Sequence, residues 1–187
     1  MKKFILPALK LTAVMIVLLS VVYPLLIAAV GRVTPGKGKG ETLTLHGKVV
    51  GYANIGQSFT DDKYFWSRPS AVGYNAAGSG GSNKGPFDTA YLSSVQARLD
   101  TFLVHNPGVR KEDVPTELVT ASGSGLDPDL SPAGALVQVK RIAAVRGTSE
   151  KKLCELVAQY TEGPLLGILG PSKVNVLKLN IALDSLK

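Results

Sequence analysis

Two glycine- and serine-rich segments hold the residue types best suited to touching a ligand. Ser79, Gly80, Gly81, Ser82 and Asn83 follow one another inside Gly78-Ser-Gly-Gly-Ser-Asn-Lys-Gly-Pro86, and successive free backbone N–H groups can form a concave nest for a phosphate or carboxylate. The same composition also serves a purely structural turn. No GxxxxGKS or GxxxxGKT string occurs, so the segment is not a P-loop. The second segment, Ser122-Gly-Ser-Gly-Leu-Asp127, sets Ser124 between glycines as a nucleophile would be presented at a tight turn, yet no GxSxG string is present and a hydrolase also needs a base. His46 lies in an alternating stretch, and His105 lies where a helix should end and a cation suits the dipole. Asp61, Asp62, Asp127 and Asp129 offer carboxylates in turn-like contexts, with nothing in the sequence to fix their separation. Two histidines and one cysteine lack metal-ligand spacing, so no metal site and no catalytic residue is assigned. Tyr64, Phe65, Trp66 and Tyr74 concentrate in the same region, either as a partner-binding surface or as the pin that holds a long loop to the core.

The elements that must position these residues follow from periodicity and punctuation. Thr42 to His46 alternates and is expected to continue through Lys48–Val50 as one strand, with Leu43, Leu45 and Val49 inward and a bulge at Gly47. From Gly56 to Pro86 no helical period is found, which predicts a long ordered loop system containing short strands. Asp88 reads as the N-cap of a helix whose Tyr91, Leu92, Val95, Leu99, Phe102 and Leu103 recur at three-to-four spacing up to the stop at Asn106-Pro107-Gly108. Glu117 to Ala121 reads as a short inner strand, followed by a sharp turn through Pro128. Ser131-Pro132 opens a helix to about Arg146 that Gly147 ends. Thr148 or Ser149 opens another, with Leu153, Leu156, Val157 and Tyr160 on one face and Glu162-Gly-Pro164 as its stop. Val174, Val176, Leu177, Leu179, Ile181 and Leu183 suggest a largely buried final strand. The expected fold is a single soluble α/β (α+β) domain, residues 42–187, with helices packed on a small mixed sheet.

A run without charge from Leu11 to Val30 precedes that domain. At about 1.5 Å rise per residue it matches the roughly 30 Å hydrocarbon thickness of a bilayer, and it exceeds the usual h-region of a cleavable signal. One transmembrane helix over 11–30 is expected, bent near Tyr23 and Pro24, after a short basic tail over 1–10 and before a flexible spacer over 31–41. Basic residues flank both ends, Lys2, Lys3 and Lys10 before and Arg32, Lys37 and Lys39 after. The short N-terminal tail favours a cytoplasmic N-terminus and an extracytoplasmic domain. The net charge of +7 is spread without a long basic block, which argues against nucleic-acid binding. Cys154 is alone, excludes an intrachain disulfide, and is expected to be a buried, inert thiol.

Several strings stand together in order: Gly56-Gln-Ser-Phe-Thr60, Tyr64-Phe-Trp-Ser-Arg-Pro-Ser70, Tyr74-Asn75, Gly78 to Asn83, Leu118 to Asp127, Ser131-Pro132 and Val174 to Asp184. In this the chain resembles, over nearly its whole length, the C subunit of the bacterial Kdp potassium-transporting ATPase, the KdpC family. Asp129 departs from members that carry histidine there. The resemblance implies a single-pass, non-catalytic accessory subunit in the bacterial inner membrane. Its implied partners are a potassium-channel-like subunit, a P-type ATPase subunit and a small membrane peptide. It also implies a catalytic chaperone that raises the pump's ATP affinity, with Gln57 as the suggested nucleotide contact and Ser58, Asn75, the Gly/Ser loop, Ser124 and Asp127 as further contact candidates. No covalently bound cofactor is implied, and ATP would enter only through the pump complex. An extracytoplasmic domain cannot touch ATP at the cytoplasmic face, so the same residues would then contact protein instead. A free-standing anchored ligand-binding or sensor domain is the alternative that the Gly/Ser loop suggests.

Overall fold

The computed structural model describes residues 2–186, in two compact units that divide between Thr42 and Leu43. The first contains a 29-residue helical run, Lys3–Gly31, with an 18-residue stretch of mean hydropathy 2.7, long and apolar enough to cross a bilayer. Helix α1 spans Lys2–Val17 and α2 spans Tyr23–Gly31, joined without a break by a π-helical turn, Leu18–Val22. Pro24 has no N–H to donate and its ring crowds the preceding turn. The irregularity expected there takes the form of a widened turn one step earlier, in which the N–H of Tyr23 donates to the carbonyl of Leu18.

The second unit opens with two strands, β1 (Thr42–Leu45) and β2 (Lys48–Tyr52), paired as a hairpin. His46 and Gly47 both take positive φ, 50° and 77°, the conformation that a two-residue hairpin turn demands. The sequence reading of one bulged strand is therefore corrected: the chain reverses at Gly47, and Val49 is exposed rather than inward.

Residues 56 to 86 form a long ordered loop, without the short strands expected of it. Helix α3 runs Thr89–His105, its first turn capped by Asp88, whose carboxylate accepts from the N–H of Tyr91, and it stops at Asn106. The hydrogen bonds to Tyr91 and Lys84 hold the Asp88 carboxyl below the usual carboxylate range. Glu117 to Ala121 is not a strand. A 3-10 turn, Thr116–Leu118, places Leu118 and Val119 in the core while the Glu117 carboxylate accepts from both the N–H and the hydroxyl of Ser131.

The main sheet is small and wholly antiparallel, a correction to the mixed sheet expected. Strand β5 (Lys173–Asn175) lies between β3 (Asp129–Leu130) and β4 (Thr161–Glu162), with Val174 opposite both Leu130 and Thr161. The sheet's Leu130 and Val174 share one core cluster with residues of the surrounding helices. The helix begun by Ser131-Pro132 is broken at Val137-Gln138 into α4 (Pro132–Leu136) and α5 (Val139–Arg146), and Gly147 ends it in the left-handed region at φ 63°. Ser149 caps α6 (Glu150–Gln159), which buries Leu153, Leu156 and Val157. Cys154 is exposed, against expectation, because a helix turns about 100° per residue and carries it off that face.

The last apolar run is corrected from strand to helix. Apolar residues occupy nearly every position from Val174 to Leu183, so two periods fit, and Asn175 decides between them. Its carbonyl oxygen accepts from the N–H of Lys178 and starts α7 (Val176–Ser185), which buries Val176, Leu177, Leu179, Asn180 and Leu183. The amide nitrogen of Asn175 donates to the carbonyl of Ala53 at 2.7 Å, tying β2 to the same junction. Asn175→Ala should cost the fold about 2 kcal/mol, a lost cap plus an unpaired buried carbonyl, read from denaturant unfolding of the full chain in detergent.

Candidate functional site

The candidate residues lie on two loops that bond to each other. The N–H of Gly56 donates to the carbonyl of Leu126 at 2.7 Å, and any side chain at position 56 would meet the Asp127 backbone. Further along, the N–H of Ser122 donates to Pro69, the hydroxyl of Ser70 donates to Gly125, and Gly80 N–H and the Ser79 hydroxyl both donate to the carbonyl of Ser124. Gly125 takes φ 67°, and a Cβ there would overlap Val72 and the Gly80 carbonyl. Gly81 packs with like closeness on Gly123. Glycine is thus favoured at positions 56, 81 and 125, where two backbones approach, while Gly85 and Gly123 meet nothing close.

The groups offered for ligand contact are largely engaged inside this zipper. The Gln57 side-chain nitrogen donates to the carbonyl of Val50 at 3.0 Å, under a Gly51 with no room for a side chain, and the Gln57 backbone carbonyl accepts from the Ser67 hydroxyl. Asn75 closes a local turn by accepting from the N–H of Ala77, and Asn83 is exposed at φ 52°. The Ser124 hydroxyl accepts from the N–H of Leu126, and no hydrogen bond joins it to either histidine among the described residues. Asp127 pairs with Arg68 at 2.8 Å and accepts from the N–H of Asp129. His46 sits in the hairpin turn, and His105 Nδ1 lies 2.8 Å from Asp62, with its ring edge-on to Trp66.

Two clefts flank the zipper. One, of about 410 Å³, lies between the Gly/Ser loop and α3 and is lined by Ser70, Ser82, Lys84, Tyr91, Ser94 and Arg98. Its two cations are already bonded, Lys84 to Asp88 at 3.1 Å and Arg98 to the carbonyl of Val119 at 3.2 Å. The other, of about 320 Å³, is lined by Ser58, Phe59, Trp66, Tyr74 and Phe102 among others. Burial pushes the Tyr74 phenol up, and its hydroxyl donates to the carbonyl of Arg68.

The aromatic segment is held by Asn180 and Gln138 and by Arg141 and Arg146, which the sequence reading placed toward the negative end of their helix's dipole. Residues 64–66 pair with no strand. The Asn180 amide instead accepts from the N–H of Phe65 at 2.9 Å and donates to its carbonyl at 3.0 Å. Gln138 does the same for Trp66, at 2.8 and 3.3 Å. Arg141 completes the row: it donates to the carbonyls of Asp62 and Tyr64, to Asn106 Oδ1 and to Gln138 Oε1, with its guanidinium 4.7 Å from the Trp66 ring. Burial pulls the Arg141 guanidinium down to about 10, still charged at neutral pH. At the outer end, Arg146 and the Tyr64 hydroxyl share the Asp184 carboxylate. Phe65 is consequently a core residue with no exposed surface, while Tyr64, Trp66 and Tyr74 stay half-buried. One signal was available beforehand: Asn180 interrupts an apolar run, and Gln138 and Arg141 interrupt an apolar helix face three residues apart.

Fold and site together define an α/β domain of zippered loops, headed by an apolar helix long enough for a bilayer. The family model described as "KdpC: K+-transporting ATPase, c chain" matches residues 5–185. Proteins named potassium-transporting ATPase KdpC subunit are similar throughout. That of Flavobacterium psychrophilum is 56% identical over 99% of this chain and 100% of its own length. That of Bacteroides fragilis is 53% identical over 99% and 98%, and that of Polaromonas naphthalenivorans is 49% identical over 100% and 97%. The chain belongs to the KdpC family.

Proposed function

We propose that this chain is the non-catalytic accessory subunit of an ATP-driven potassium pump. Its N-terminal helix crosses the bacterial inner membrane once, and its α/β domain lies outside the cytoplasm against the pump's other chains. The carrying observation is the family match over residues 5–185, which takes in helix and domain together. The proposed partners are the potassium-channel-like subunit, the P-type ATPase subunit and a small membrane peptide.

The internal bonding of Gln57, Gly80, Ser124 and Asp127 supports architecture rather than nucleotide capture as their role. ATP bound through these groups would compete with the bonds they already make. An influence on the pump's ATP affinity is then transmitted through subunit contact. The bonded state of Lys84 and Arg98 likewise supports subunit contact over an independent anion-binding domain.

Gentle detergent extraction followed by mass measurement should find the chain with the other pump subunits, and removing it should lower potassium-stimulated ATPase activity. Unchanged activity without it would sink the reading. Sidedness has a native reporter in the exposed thiol of Cys154. A membrane-impermeant maleimide should label it on intact spheroplasts; labelling only after permeabilisation would place the domain inside.

A further inference from the structure

Between Pro164 and Gly170 the chain folds into a tight finger that no site described so far uses. Leu165 and Leu169 exchange both backbone hydrogen bonds, at 2.8 and 2.9 Å, and Gly167 N–H donates to the carbonyl of Pro164. Leu166 and Gly167 turn the tip through positive φ, 55° and 78°. The side chains so presented are all aliphatic and open to solvent: Leu165 69%, Leu166 82%, Ile168 81% and Leu169 55% exposed. Exposed apolar residues elsewhere in this unit, such as Val49, Phe87, Val104 and Val145, are scattered singly, which needs no explanation. Four within five residues, in a stretch without charge from Gly163 to Ser172, is a patch that does.

We propose that the Leu165–Leu169 finger is a plug that seats in an uncharged, apolar pocket on another chain of the same pump. This rests on the subunit reading above. Leucine at positive φ is strained, and strain that fixes the shape of a tip is retained where shape is used. A rigid tip suits a protein pocket of matching form, whereas fluid lipid accepts any arrangement of the same side chains. A second copy of this chain fits less well, because a tip inserted into a cleft elsewhere on an identical molecule is a head-to-tail contact that propagates unless its rotation closes a ring. Four aliphatic side chains cover on the order of 300–400 Å², short of the roughly 800 Å² per partner of a self-sufficient interface. The plug therefore acts on a partner already held close in the same membrane, where effective concentration replaces area.

The test uses full-length chain with Cys154→Ser, so that Ile168→Cys carries the one thiol. In the detergent-purified pump, Cys at 168 should react with maleimide slower by roughly tenfold or more than in the same chain purified alone. The pair Leu166→Asp and Ile168→Asp should weaken retention of the other subunits by roughly tenfold with an unchanged thermal midpoint, since both positions are solvent-facing in the isolated chain. An equal rate in both preparations overturns the proposal. So does slowing in lipid nanodiscs that hold this chain alone, which would make lipid the occupant, or slowing that grows with concentration of the lone chain, which would make it self-association. Loss of every partner from the wild-type chain removes the subunit reading and the plug together. Retained partners with an unprotected 168 remove only the plug.

Discussion

Arg141→Met should destabilise the domain by about 3–5 kcal/mol, among the largest losses expected of any single substitution here. Methionine fills much of the same space but donates nothing. The carbonyls of Asp62 and Tyr64 and Asn106 Oδ1 would stay buried or half-buried without their donor, and Gln138 Oε1 would keep only the N–H of Trp66. Replacing a buried charge by an apolar residue is neutral only when its partners are replaced too, and backbone carbonyls cannot be. Arg141→Lys should rescue little, because an ammonium cannot span four acceptors set around a planar fork. Unfolding of the full chain in detergent, followed by the fluorescence of Trp66, reads this directly: Trp66 is the single tryptophan and lies on the guanidinium. A midpoint within experimental error of wild type would mean that the row of polar groups does not hold the loop.

Such a substitution could not have been chosen from the sequence. The helices that announce themselves by caps and stops were legible: Asp88 before α3, Asn106 after it, Ser131 and Gly147 around α4 and α5, Ser149 before α6. Each signal is local: Asp88, Ser131 and Ser149 bond a backbone N–H three residues on, Asn106 bonds back to the Phe102 carbonyl, and Gly147 takes the left-handed φ of a helix stop. Elements fixed by competition between two local readings were misread. His46 at positive φ is a rare choice for a hairpin turn, so β1 and β2 looked like one strand. The final run fits either period until Asn175 is seen as a cap. The candidate loops were legible as loops, because glycine, serine and asparagine favour turns, yet their mutual bonding was not, nor the close backbone approach at Gly56, Gly81 and Gly125. Leu126 and Gly56 are 70 residues apart in chain order, and a hydrogen bond across that distance leaves no periodic trace. The same holds for Asn180 and Phe65, separated by 115 residues.

That last pair sets the second large effect. Phe65→Ala should cost about 3–5 kcal/mol, since the ring is wholly buried in the main core cluster and its loss leaves a cavity. Asn180→Leu keeps the volume and removes only the two hydrogen bonds to the Phe65 backbone, which should cost about 2–4 kcal/mol through one buried donor and one buried acceptor left unpaired. Combined, the two should cost less than their sum by about 1–2 kcal/mol, because either alone already releases the same stretch of chain from α7. Full additivity would mean that ring and backbone are held independently, and that the Asn180 amide serves α7 rather than the loop. The consequence for the pump follows from position: Tyr64 and Trp66, half-buried on either side of Phe65, keep their surface placement only while that residue is pinned. Both single variants should therefore lose retention of the pump's other subunits at a lower temperature than wild type, in step with their own unfolding. A variant that unfolds early yet holds its partners to the wild-type temperature would show that the interface lies elsewhere on the domain.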